Sequence, residues 1–211
     1  MITYEEIVKQ YLEELNEHEK LYFNYKQKYG EYPYTGNPTD YVVVDSGTMI
    51  EEGMILLRKH PRFCYVQKHG HNYLEINYVM NGKIDQILDN TKITLNQGDL
   101  LFIPKDSMHQ FEPAEKDDLL VNFIILPGFF DFIFPFIDRQ GNIKQFLINL
   151  FSDNSKNNSM VFRVGNDEVV QRIIKNIIVT YYEGKEGNMN LLRNYFLILI
   201  YELLKIICCF H

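Results

Sequence analysis

The chain has 211 residues, a formal net charge of −7, and 15 tyrosines and 15 phenylalanines with no tryptophan. An acidic chain does not neutralise phosphates, so autonomous nucleic-acid binding is excluded, and an apolar share of 46% excludes a disordered chain. Three cysteines without a C-x-x-C pair exclude a disulfide framework, and residues 1–20 lack the apolar run of a secretory signal, so the expected compartment is cytoplasmic.

Thr3 followed by Glu6 fits a capping box, and Ile7, Val8, Tyr11, Leu12 and Leu15 recur at helical spacing. One helix is therefore expected from Tyr4 to Lys28, and the Gly- and Pro-containing stretch Gly30–Asp40 reads as a linker, giving an N-terminal unit over 1–40. Short strands are expected at Tyr41–Val44, Ile55–Leu57, Phe63–Gln67, Tyr73–Met80, Lys83–Leu88, Lys92–Leu95, Leu100–Ile103, His109–Glu112 and Leu119–Leu126. Turn residues separate them at close intervals, the signature of an all-β sandwich or barrel over 41–127. Asn81-Gly82 is the dipeptide that two-residue hairpins prefer. Arg58-Lys59-His60-Pro61-Arg62, the densest basic patch, reads as a solvated turn.

From Pro127 the period changes to that of helices, at Ile143–Phe151, Asp167–Tyr182 and Met189–Cys208, with a polar loop over Ser152–Ser159. The last helix is apolar on nearly every side. Tyr195–Phe210 is too short for a membrane span and carries Glu202 and Lys205. Its apolar run Leu197–Ile200 would be awkward on a monomer surface, so within the helical region 128–211 this helix is expected to be buried against the barrel, against the helix over Asp167–Tyr182 or against a second copy, with a homodimer favoured.

The most informative stretch runs from His69 to His109. His69, His71 and Glu75 share one parity, so an extended strand would turn all three to one side, and His109 follows the Pro104-Lys105-Asp106 turn. Three imidazoles and a carboxylate suit one divalent metal, with Zn, Fe, Mn and Ni all compatible. The competing reading is a polar ligand pocket in which these groups satisfy one another or water. Tyr73 and Asn77 share the parity and are candidate ligand-binding residues.

Two histidines one residue apart, a Glu four later and Gly82 beyond resemble the first cupin motif; Gly98, Pro104 and His109 resemble the second. Asp106 and Pro113 depart from it, standing where the motif usually has Gly and Asn. The phrases Tyr73–Val79 and Gly98–Pro104 are similar to the sensory, arabinose-binding-like domain of AraC-type transcriptional regulators, a specific resemblance over about residues 60–126. It implies a mainly β fold: a cupin double-stranded β-helix, or jelly-roll, barrel with an N-terminal helix and a C-terminal helical dimerisation region. It also implies an effector-sensing role with a small polar ligand, such as a sugar, in the barrel. DNA would be reached through a helix-turn-helix domain, and no segment of this chain offers one. A metal-dependent cupin enzyme of the dioxygenase, isomerase or decarboxylase type is the alternative, weakened because no further acid, base or electrophile stands at a catalytic spacing.

Overall fold

The computed structural model describes residues 2–35, 42–44, 55–131, 146, 148, 150, 159–184 and 188–208. Thr3 and Glu6 form the expected capping box, opening α1 (Tyr4–Ile7), which widens into a π-helical turn over Val8–Glu13. The single helix to Lys28 does not form. Glu14 leaves the helical region (ψ 134°), and Asn16 caps a second helix, α2 (Glu17–Tyr29). The cause is a second capping box: Asn16 Oδ1 accepts the Glu19 N–H at 2.9 Å, and the Glu19 carboxylate accepts the Asn16 N–H at 3.0 Å. These bonds satisfy amides that a new helix would otherwise leave orphaned.

Ten strands follow among the described residues: β1 (Val42–Val44), β2 (Ile55–Lys59), β3 (Val66–His71), β4 (Leu74–Asn81), β5 (Lys83–Leu88), β6 (Thr91–Asn96), β7 (Leu100–Ile103), β8 (His109–Phe111), β9 (Leu119–Ile125) and β10 (Met160–Phe162). They make two sheets, in the orders β1-β3-β8-β5-β6 and β10-β7-β4-β9-β2, antiparallel except where β1 joins β3. This is a jelly-roll barrel with helices at both ends of the chain. β9 lies inside its sheet between β4 and β2, as its apolar run, broken only by Asn122, implies.

Asn81-Gly82 does not close a hairpin. β4 and β5 belong to different sheets, so Gly82 (φ +70°) turns a corner between them. The tight hairpin is one turn later, where Asp89 and Asn90 both take positive φ (46° and 71°) and Leu88 pairs with Thr91. β10, not expected from the sequence, pairs with β7 just before the helices. Of the helix expected over Ile143–Phe151, Phe146, Ile148 and Leu150 are helical; the remainder lies outside the described residues.

α3 (Glu168–Glu183) starts at Asp167, whose carboxylate accepts the Val169 and Val170 amides at 3.0 Å each. α3 and α4 (Asn188–Cys208) pack on the outer face of the β10-β7-β4-β9-β2 sheet, where Ile174, Ile177 and Ile178 join Phe196, Leu199 and Leu203 in the main core. Phe196 meets Phe123 and Phe129 edge-on, with ring centroids 5.8 and 5.4 Å apart. A smaller apolar cluster, including Val79, Leu95, Leu101 and Ile103, fills part of the barrel interior. Among the described residues, no helix is long and apolar enough to cross a membrane.

The basic patch Arg58–Arg62 is not a solvated turn. Arg62 and His60 are buried, and Lys59 ends strand β2. Glu19, fully buried, accepts from Arg62 Nε at 2.8 Å and from Lys59 Nζ at 2.6 Å. Arg62 also donates to the Lys116 and Glu13 carbonyls, at 2.6 and 2.8 Å. The patch thus clamps α2 to the barrel.

Candidate functional site

The cupin-like residues do not lie on one strand. β3 ends at His71, the chain bends through Asn72 and Tyr73, and β4 carries Glu75 in the opposite sheet. His69 and His71 therefore face Glu75 across the barrel interior. His109 joins them from β8, where its register places it opposite His69. Asp106 takes φ +64°, the left-handed conformation for which glycine is better suited, and its amide donates to the His71 carbonyl at 2.9 Å.

One ligand atom each from His69, Glu75 and His109 lie within 4.8 Å of one another. His71 stands beside this trio, its Nε2 3.8 Å from Glu75 Oε2, while His109 Nε2 is 3.9 Å from Oε1. His69 Nδ1–H donates to the Gln67 carbonyl at 2.9 Å and His71 Nδ1–H to the Tyr73 carbonyl at 2.8 Å. Those bonds fix the tautomers that leave Nε2 a free lone pair, the orienting arrangement metal-bound imidazoles use. Among the described residues, His71 Nε2 and both ring nitrogens of His109 are buried without hydrogen-bond partners. Orphaned buried nitrogens of this kind are costly unless something binds them.

Burial dominates the electrostatics. It pushes the Glu75 carboxyl up to about 7, against the opposing pull of the Asn77 amide and the Arg58 charge. It pushes His71 down to about 3 and holds His69 and His109 below the ordinary imidazole value, with mutual repulsion among the rings adding to the effect at His71 and His109. Neutral imidazoles are the form that ligates metal.

Tyr73 is buried, stacks on His71 with centroids 4.3 Å apart, and lines a cavity of about 240 Å³ at this end of the barrel. Asn77 is engaged elsewhere. Its amide donates to Glu75 Oε1 at 2.7 Å and to Asn122 Oδ1 at 3.0 Å, and its carbonyl accepts from Gln86 at 3.1 Å, so it positions the carboxylate. Arg58 and His60 line the same cavity and were missed by sequence reasoning. The signal that could have found them is alternation continued from β2, which gives Arg58 and His60, just past the strand's end, the same parity. Burial drives His60 down to about 3, and its ring packs on Phe111 at 4.1 Å.

The family model for an AraC-like ligand binding domain matches residues 53–181. The chain belongs to this family. As an AraC-like ligand binding domain it shares local sequence with an acetate kinase EutQ of Clostridioides difficile, 39% identical over 83 residues. That match covers 36% of this chain and 50% of the relative, so the chain spans about half the length of that curated protein. Among solved structures, a ToxT from Vibrio cholerae is similar over 68% of this chain and 53% of its own, at 12% identity and TM-score 0.49. A cupin protein of Bacteroides fragilis is 27% identical over 35% of this chain and 65% of its own, with TM-score 0.30.

Proposed function

We propose that this domain is the effector-sensing and dimerisation region of an AraC-type transcriptional regulator of the cytoplasm. A small polar molecule would bind in the barrel cavity, and a second copy would dock through the C-terminal helices. The carrying observation is the buried set of unpartnered nitrogens beside an open cavity in a domain of this family. The exposed positions Leu191, Ile198 and Tyr201 on α4 support the helical dimer. DNA contact belongs to the helix-turn-helix domain of such a regulator, since the acidic balance here is unsuited to it.

The donor set fits a divalent metal. His69, Glu75 and His109 would hold it, with His71 adjacent, and Asn77 orients Glu75. When bound, a metal supplies a Lewis-acid position for a ligand's oxygen. That donor set is also what favours the alternative reading, a metal-dependent cupin enzyme.

The test is elemental analysis and thermal-shift titration of the purified chain beside a His71→Ala/His109→Ala variant. The expected result is stabilisation by a small polar ligand that survives unchanged after incubation, with any bound metal lost in the double variant. Conversion of the ligand into product by the metal-loaded protein would replace sensing by catalysis.

A further inference from the structure

We infer that the barrel takes a small carboxylate, its anionic end held at the cavity mouth by Arg58 and His60. The inference rests on the ligand-pocket reading above and narrows its chemistry.

Three cations sit close together on and after β2, and two of them already share one carboxylate. Lys59 and Arg62 both bind the Glu19 carboxylate on the helix side. Arg58, on the cavity side, has no hydrogen-bond or ion-pair partner among the described residues. Arg58 is exposed, and exposure alone would need no comment. Arg58, however, shares its cavity with His60, whose ring is buried and whose Nε2 has no partner. A neutral imidazole offers one N–H, and the guanidinium offers a rigid fork of donors matched to a planar carboxylate. Two kinds of donor on one cavity wall, with no acceptor for either among the described residues, select an acceptor that arrives with the ligand.

The charge balance agrees. Lys59 shares the single Glu19 charge with Arg62, and the remaining ionisable charges of the cavity wall are Arg58 and Glu75. Glu75 is hydrogen-bonded by Asn77 and buried, so the interior carries at most one negative charge against Arg58, and any divalent metal there would make the sum positive. Tyr73 and Asn122, which line the same cavity, offer polar contact to the ligand's uncharged part. One guanidinium and one neutral imidazole suit a single carboxylate better than a phosphate dianion.

The test is isothermal titration of the full chain, with and without added Mn, using acetate, succinate and glucuronate against their neutral counterparts acetamide, succinamide and glucose. Inorganic phosphate is a further arm. The wild type is expected to bind at least one carboxylate about tenfold more tightly than its neutral counterpart. Arg58→Gln, at an exposed position that leaves the fold intact, is expected to lose about ten- to a hundred-fold in that affinity, the worth of a charge-assisted hydrogen bond, with partial recovery in Arg58→Lys. Equal binding of neutral counterparts, unaffected by Arg58→Gln, overturns the carboxylate assignment and leaves the ligand-pocket reading standing. Carboxylate binding insensitive to Arg58→Gln, or weaker than phosphate binding, also overturns it. If neither class binds the wild type, the pocket reading falls as well.

Discussion

Glu19→Ala should be among the most damaging single substitutions outside the apolar core. The carboxylate is fully buried and accepts from Arg62, itself only 2% exposed, and from Lys59. Truncation leaves Arg62 with the Lys116 and Glu13 carbonyls, and Lys59 with the Glu14 carbonyl, but no counter-charge for either. It also removes half of the capping box that starts α2. A buried cation stripped of its partner costs about 3–5 kcal/mol, and the lost cap contact adds about 1 kcal/mol. Urea unfolding followed by circular dichroism measures this, with Glu19→Gln, which keeps an acceptor and loses the charge, expected in between. Replacing both partners together, as Glu19→Leu/Arg62→Met, should cost less than the two single changes added, because only Lys59, and not the more deeply buried Arg62, then loses its counter-charge. A Glu19→Ala cost below about 1 kcal/mol, typical of exposed pairs, would refute the clamp. The pH dependence has a definite sign. Burial alone would raise the Glu19 carboxyl, but the hydrogen bonds from Arg62, Lys59 and Asn16 outweigh it and hold it below the ordinary 4.5. A depressed folded-state value stabilises the protein above 4.5 and loses that contribution as pH falls through the folded value, so Glu19→Gln should flatten the acid limb of stability.

Gly98→Ala should destabilise the junction of barrel and helices by about 2–4 kcal/mol, because φ is +84° there and a Cβ would meet Gly165 Cα at 2.3 Å; thermal unfolding reads it. Ile198→Glu, on the exposed stripe of α4, should shift a dimer toward monomer in sedimentation velocity while leaving the helical spectrum unchanged. Phe196→Ala should cost about 3–5 kcal/mol in urea, since the ring is 1% exposed between Phe123 and Phe129.

Legibility in the sequence followed the range of the interactions. The strand rhythm between Leu74 and Ile125 was readable because alternation and turn residues act locally, and Asp167 announced α3 by its capping chemistry. The gathering of His69, Glu75 and His109 was readable only through spacing, and for a partly mistaken reason: the shared parity survives a bend at Asn72-Tyr73 that moves Glu75 into the other sheet. Asn81-Gly82 misled because a positive-φ glycine, here Gly82 alone, serves a sheet-to-sheet corner as well as a hairpin. The α1–α2 break could have been read from Asn16 and Glu19, but hydrophobic spacing on either side masked it. Arg58–Arg62 was misread because its burial depends on Glu19, some forty residues away, and no local pattern records such a partner.

The two apolar clusters divide the labour of the fold unequally. Most buried apolar side chains lie outside the barrel, between one sheet and the helices, whereas the interior cluster occupies the barrel only in part. Folding therefore leans little on what fills the polar end. A lineage carrying this scaffold can exchange cavity residues such as Arg58, Tyr73 or Asn122 and acquire a new chemical vocabulary without renegotiating its architecture. The same asymmetry makes the barrel a promising host for redesigned specificity.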